Sequence, residues 1–237
     1  MSSTVTSRIL LGALMAAPFL GTNLSAQDPK QVLQQQLAAV KESLAKNQQA
    51  LKQYSWTETT VASLKGEEKS RSQKECHYGP DGKVVKTPLG APPESGGKKR
   101  GLKGKVVEKK VGELKDYLDR AASLIHRYVP PDPARMQQAF QSGKAALSKN
   151  AADSSTTIEF RDYEKPGDSL VLIFSQGQIK GVTVKSYLDD AADAVGLNVK
   201  FQNLADGTNY MADSVLDGAA KKVQIHITNF DHRKAGQ

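Results

Sequence analysis

The chain is poor in the features that usually declare a chemistry. It has a single cysteine, Cys76, so no intramolecular disulfide can form and no paired-thiolate zinc site can be built. A lone thiol in an oxidising compartment is a free group or an intermolecular link, and Cys76 reads as a small strand residue. No apolar run reaches the ~20 residues of a membrane-spanning helix. Aromatic residues are only 6% of the total, so an apolar interior must be built mostly from aliphatic side chains. The Gly-x-Ser-x-Gly and His-Glu-x-x-His patterns are absent. Ser142-Gly143-Lys144 has the ending of a phosphate loop, but Gln138 stands where the leading glycine belongs. The four histidines, His77, His126, His226 and His232, fall in separate segments. Asp231-His232 could orient an imidazole, but neighbours on a strand face opposite ways. Asp189, Asp190 and Asp193 read as solvated turn charge, with weak cation binding as the alternative. No catalytic residue, metal ligand or cofactor is assigned, and the chain reads as a non-enzyme.

What is present begins at the N-terminus. Arg8 is the only charge in the first 26 residues. The apolar stretch Ile9 to Leu20 follows, then Gly21-Thr22-Asn23 and the small pair Ser25-Ala26. A basic start, about a dozen apolar residues and a small residue at the cut describe a secretory signal peptide. Cleavage near Ala26 implies a periplasmic or secreted protein. The remaining 27–237 form one domain, large enough to bury a core without disulfides. Lys and Arg (33) outnumber Asp and Glu (25), a net charge of +8.

Asp28-Pro29 suits a helix start, and Leu33, Leu37, Val40, Leu44 and Leu51 make one stripe of an amphipathic helix to about Gln53. From Tyr54 to Leu64 the β-formers crowd, with Tyr54, Trp56, Thr60, Ala62 and Leu64 on one face. Gly66 ends that strand, 67–78 returns as a hairpin, and Pro80-Asp81-Gly82 leads to a short strand over 83–87. Residues 88–110 are rich in Pro, Gly and Lys and predict a mobile loop. Lys98, Lys99, Arg100, Lys103 and Lys105 in that loop are candidates for contact with an anionic surface; a solvated linker is the plainer reading. No aromatic lies there to stack on bases, so nucleic acid is not expected. A helical insertion follows over 111–148, one helix at 111–128, a break at Val129-Pro130-Pro131, and a second marked by Met136, Phe140 and Leu147.

The last third predicts six strands in consecutive hairpins: 156–163, 169–175, 179–188, 195–201, 210–216 and 223–227. Leu170 to Phe174 is continuously apolar, as for a strand covered on both faces. Asp206-Gly207 and Asp217-Gly218 sit where hairpin turns belong. His226 falls out of phase with Val223, Ile225 and Ile227 and so points to solvent. Helix, strands, helical insertion and meander together give an α+β arrangement.

The opening Leu33-x-x-x-Leu37-x-x-Val40-x-x-x-Leu44 helix with Asn47, followed by Leu51-x-x-Tyr54-x-Trp56, resembles the start of the bacterial lipoprotein-localisation carriers. The ending, Leu204-x-Asp206-Gly207-x-x-Tyr210 and then Lys222-Val223-Gln224-Ile225-His226-Ile227-x-Asn229-Phe230, is similar to the last strands of that superfamily. The resemblance implies a strongly curved antiparallel β-sheet, an open, unclosed barrel, with the N-terminal helix and the inserted helical pair as a lid. It implies a periplasmic carrier whose partner is a lipid or a lipidated protein. The sequence departs from the family in having about three strands before the insertion and in the basic loop. A lid that covers an apolar sheet face incompletely leaves a pocket, and Trp56, Phe160, Val184, Val199, Phe201 and Ile225 are its candidate lining. The alternative is a filled core, in which case the chain is a structural or signalling interaction module of the envelope. Oligomeric state is not legible.

Overall fold

A computed structural model describes residues 38, 42, 45–90 and 102–234. The expected signal peptide, and Lys98, Lys99 and Arg100, lie outside them. Among the described residues, ten strands form a single antiparallel sheet. A helix ending at residue 51 (α1; residues 38, 42 and 45–51) precedes β1 (Tyr54–Leu64), β2 (Glu67–Tyr78) and β3 (Val84–Leu89). Two helices, α2 (Leu102–Ile125) and α3 (Pro133–Gln141), lead to β4 (Ala145–Lys149), β5 (Thr156–Arg161), β6 (Ser169–Ser175), β7 (Gln178–Tyr187), β8 (Ala194–Asn203), β9 (Asn209–Gly218) and β10 (Val223–Lys234). The spatial order is β3-β2-β1-β10-β9-β8-β7-β6-β5-β4. The first strand therefore pairs with the last, and the two ends of the sheet, β3 and β4, stay unjoined: an open sheet in an α+β fold.

Local chemistry explains the hairpins. Lys65-Gly66 and Gln176-Gly177 both take positive φ at two successive residues, the geometry of the tight turn that matches strand twist. Register shifts at Ser55/Thr57, Ala62/Ser63, Ile173/Phe174 and Lys200/Phe201 insert bulges, which bend a sheet and raise its twist. This is how an antiparallel sheet of this width curves without closing.

Four expectations need correction. The helix begins at Leu102, so the Pro/Gly-rich stretch does not extend as loop to 110, and its first residues, Pro88 and Leu89, belong to β3. The helical insertion ends at Gln141 and not 148; Ala145–Lys149 is an edge strand, too short and too exposed on its outer side for its alternation to show in sequence. The meander thus has seven strands, not six. Asp217-Gly218 is not a turn: β9 runs through it, and a 3₁₀ turn over Ala219–Lys221, closed by Lys222 at φ +51, makes the reversal. Finally, β6 is not covered on both sides. Leu170, Leu172 and Phe174 are buried while Val171 and Ile173 are only half-buried, as one covered face of an antiparallel sheet requires.

The buried face of β5–β8 meets α2 and α3. Ala121, Leu124 and Ile125 at the α2 end, Tyr128 just beyond it, and Met136 and Ala139 of α3 pack on Ile158, Phe160, Leu170, Leu172, Val182 and Val184. Farther up α2, the ring of Tyr117 lies directly on Gly218: a Cβ there would stand 2.6 Å from Tyr117 Cε1 and 2.9 Å from a Val223 methyl. Gly218→Ala is expected to push Tyr117 off the sheet and lower stability by about 1–3 kcal/mol, the range for overpacking. Urea unfolding checks this; an unchanged midpoint would show that α2 does not bear on Gly218.

Candidate functional site

The covered face divides into two regions. Beneath α2 and α3 it is filled: Phe160 is 0% exposed, and Val184 and Val199 are buried with it. Toward the other side, where β1, β10 and β9 meet under α1, a cavity of about 280 Å³ remains. Its apolar wall comes from Leu51 of α1, Trp56, Tyr78, Val84, Phe201 and Met211. Asn47, Glu58, Lys86, Asn209, Tyr210, Asn229 and His232 complete the lining.

Two bulges open this space. Ser55 pairs with Arg233 and Thr57 with Phe230, so Asp231 and His232 together oppose Trp56, and Asp231 adopts φ +54. The extra residue turns His232 onto the face of Trp56. Their rings stack with centroids 6.0 Å apart and planes at 12°, and Tyr210 lies 4.0 Å from the His232 ring. The second bulge lies opposite Lys200/Phe201 on β9. Backbone pairing of β9 with β10 stops at Asp213–Thr228. Asn229 bridges the gap beyond: its Nδ2 donates to Met211 O at 2.9 Å, and its Oδ1 accepts from Trp56 Nε1 at 3.1 Å.

Asn47 fixes α1 over the opening. Its Oδ1 accepts from the Asn209 backbone N–H at 2.6 Å and its Nδ2 donates to the Asn209 carbonyl. Asn209 is itself held by donation to Ile179 O at 3.2 Å and to Asn203 Oδ1 at 2.8 Å. At the base of α1 the Tyr54 hydroxyl donates to Asp206 at 2.6 Å, which with the Thr208 contacts holds that carboxyl at about 2.

The wall amides are thus committed to the protein, and three other polar groups keep spare capacity. Glu58 is 5% exposed; it accepts from Lys86 Nζ at 2.6 Å and, weakly, from Thr60 Oγ1 at 3.4 Å. Lys86 stands on edge strand β3 with its side chain 40% exposed. His232 makes ring contacts but no hydrogen bond among the described residues. Burial pushes its pKa below the ordinary 6.5, against the opposing pull of Asp231, so the imidazole is neutral at pH 7.

An unfolded His232 takes up its proton near pH 6.5, before the folded one does, so acidification through that window favours the unfolded chain. Stability is expected to fall as pH drops from 6.5 toward 5, and His232→Gln should flatten that part of the profile. Urea midpoints across pH 5–7 check it; an unchanged slope in the variant would contradict it.

Of the six residues expected to line a pocket, the structure brings Trp56 and Phe201 together at the cavity. Phe160, Val184 and Val199 sit in the filled core instead, because α2 and α3 close on that half of the sheet. Ile225 is half-buried on the Trp56 face of β10, paired with Ala62. Lys103 and Lys105 fall in the first turns of α2, not in a loop. His226 lies on the outer face, half-exposed as expected, but held to Asp213 at 2.5 Å. The acidic trio holds its loop and ties it to α2: Asp189 pairs with Arg120 at 2.6 Å, Asp190 Oδ1 accepts from the Ala192 N–H at 2.8 Å, and Asp193 lies beside the buried Tyr117 hydroxyl, pushed up to about 12 mainly by burial and then by Asp193. No group of three metal-ligating side chains occurs among the described residues. Cys76 is fully buried opposite Trp56, and burial raises its pKa, the environment of an inert thiol.

Sequence reasoning missed Tyr78, Met211, Tyr210, Asn229, His232 and the Glu58–Lys86 pair. The signal that could have found them is the placement of Tyr54-x-Trp56, Tyr78, Tyr210 and His232 at strand ends, which converge only once β1 is paired with β10. No helix among the described residues is long and apolar enough to cross a membrane.

No protein-family model and no curated protein matches the sequence. Solved structures similar to this chain include these two. One is a DUF1329 family protein from Desulfovibrio piger, 9% identical, covering 84% of this chain and 92% of that one at a TM-score of 0.40. The other is a LolA superfamily protein from Nitrosomonas europaea, 7% identical, covering 84% of this chain and 94% of that one at a TM-score of 0.37.

Proposed function

We propose that the chain is an exported, periplasmic, non-enzymatic binding protein that holds an apolar chain, from a lipid or a lipidated protein, in the cavity between α1 and strands β1, β9 and β10. One observation carries the proposal: a sheet that is close-packed under α2 and α3 leaves an unfilled, mostly apolar hollow at its other side. Interiors normally close to ~0.75 packing density, and here two bulges and a side-chain bridge hold the strands apart instead. At 280 Å³ the space is at the small end of small-molecule sites, ~300–1,000 Å³, which suits one chain and not two. The same face continues past it with half-buried Ala62, Leu64, Ile225 and Ile227, along which a longer chain would lie.

Trp56 is the only tryptophan and stands in the wall, so its emission reports occupancy. Titration with a twelve-carbon alcohol is expected to give a saturable shift of indole emission; no change in a folded sample would reject the proposal. Lys98, Lys99, Arg100, Lys103 and Lys105 are proposed to bring the protein to anionic membrane surfaces. Vesicles rich in phosphatidylglycerol should bind it in low salt and release it as salt screens the charge. Binding that survives alanine at Lys98, Lys99 and Arg100 would remove those residues from the proposal. The alternative, an envelope interaction module with a filled core, draws only on the packed half of the sheet.

A further inference from the structure

We infer that the cavity selects amphiphiles with an uncharged hydroxyl head, an alcohol, over free carboxylates and over quaternary ammonium ions. This rests on the reading of the cavity as an apolar-chain site and adds what the head must be. The polar part of the wall is a charge-neutral pair, Glu58 and Lys86 at 2.6 Å. Glu58 is buried and its carboxylate retains acceptor capacity beyond Lys86 and the long contact to Thr60. Lys86 spends one of three donors on Glu58. A hydroxyl can donate to Glu58 and accept from Lys86 at once and leaves both charges balanced. The neutral imidazole of His232, without a hydrogen-bond partner among the described residues, adds one donor and one acceptor of the same uncharged kind.

An ionic head meets the opposite situation. A carboxylate drawn to Lys86 comes against the buried Glu58 carboxylate, which repels it and already balances the Lys86 charge. A quaternary ammonium would find aromatic faces at Trp56, Tyr78 and Tyr210, the usual recognition of such a cation. Trp56, however, turns its face to the stacked His232 ring, and Lys86 repels a second cation from Glu58. Neither sign has an unpaired counter-charge waiting. This separates the site from one built around a lone buried arginine or carboxylate, which would favour the opposite ion.

The test holds the tail constant. Dodecanol, laurate and dodecyltrimethylammonium are titrated into the full chain at pH 7.5, below the solubility limit of the alcohol and the micelle-forming concentrations of the two ions, with Trp56 emission as the readout. Dodecanol is expected to bind at least tenfold more tightly than either ion. Equal affinities, or tighter binding of either ion, overturn the inference while leaving the apolar-chain reading intact. No binding by any of the three overturns that reading and this one with it. Two variants sharpen the result: Glu58→Gln frees Lys86 and should raise laurate affinity about tenfold, and Lys86→Met frees Glu58 and should raise dodecyltrimethylammonium affinity similarly. Failure of folded variants to shift in these directions also overturns the inference, and the unmodified chain decides it alone if a variant does not fold.

Discussion

Asp168→Ala is expected to lower the free energy of unfolding by roughly 3–5 kcal/mol, enough to unfold much of a marginally stable domain. The carboxylate is 3% exposed and accepts from four donors. They are the backbone N–H of Tyr163 at 2.7 Å, of Glu164 at 3.2 Å and of Lys165 at 2.8 Å, and the Tyr128 hydroxyl at 2.5 Å. Tyr128, fully buried, also accepts from Ser186 at 2.8 Å. Tyr163 in turn uses its hydroxyl to accept from the Asp132 N–H at 2.7 Å, and Asp132 caps α3 through Ala134. One carboxylate therefore ties the end of α2, the start of α3 and the β5–β6 connection to the sheet. Alanine leaves several of these donors buried without acceptors, each a loss of ~1–3 kcal/mol when unmade. Asp168→Asn keeps the shape and an acceptor oxygen and should lose less. Urea unfolding followed by far-ultraviolet circular dichroism measures both; equal, small losses would show that the network does not hold the helical pair.

Met211→Trp is expected to weaken binding of a twelve-carbon alcohol about a hundredfold, or about 2.7 kcal/mol, with a much smaller change in stability. Met211 lines the cavity from β9, half-buried, beside Phe201 and under the Asn229 bridge. A larger ring there has open volume to enter, so it takes the ligand's space and overpacks the wall little. Calorimetry reads the affinity, since the new indole would confuse fluorescence. Enlarging Val184 by the same logic should act oppositely, damaging stability first, because that position sits in the filled core. Undiminished binding by Met211→Trp would place the ligand elsewhere.

The strand pattern was largely legible because burial alternates with a period of two. Val195, Leu197 and Val199 were readable as inward-facing, and the structure buries all three. The antiparallel sheet expected from the order of elements, and its openness, which the family resemblance implied, are also what the structure has. What escaped was anything set by contacts distant in sequence. β4 is short and exposed, and its alternation carried no signal. Phe160 and Val184 were indistinguishable from Phe201 by pattern, since all face the same side of the sheet; only the helices' placement separates packed from unfilled. Alternation rightly set His232 apart from Asp231, but its seat on Trp56 was not legible, because it comes from a bulge at Asp231, and a bulge depends on the partner strand. Asp168 drew no notice: its hydroxyl partner Tyr128 lies 40 residues away.

The most direct test locates the ligand within the protein. Intermolecular nuclear Overhauser effects from the methylene protons of dodecanol, bound to isotopically labelled full chain, should reach the Trp56 indole, the Phe201 ring and the Met211 methyl, and should be absent at Phe160 and Val184. Contacts to Phe160 and Val184, or contacts to none of the five while the chain remains folded, would contradict a hollow beneath α1 as the binding site.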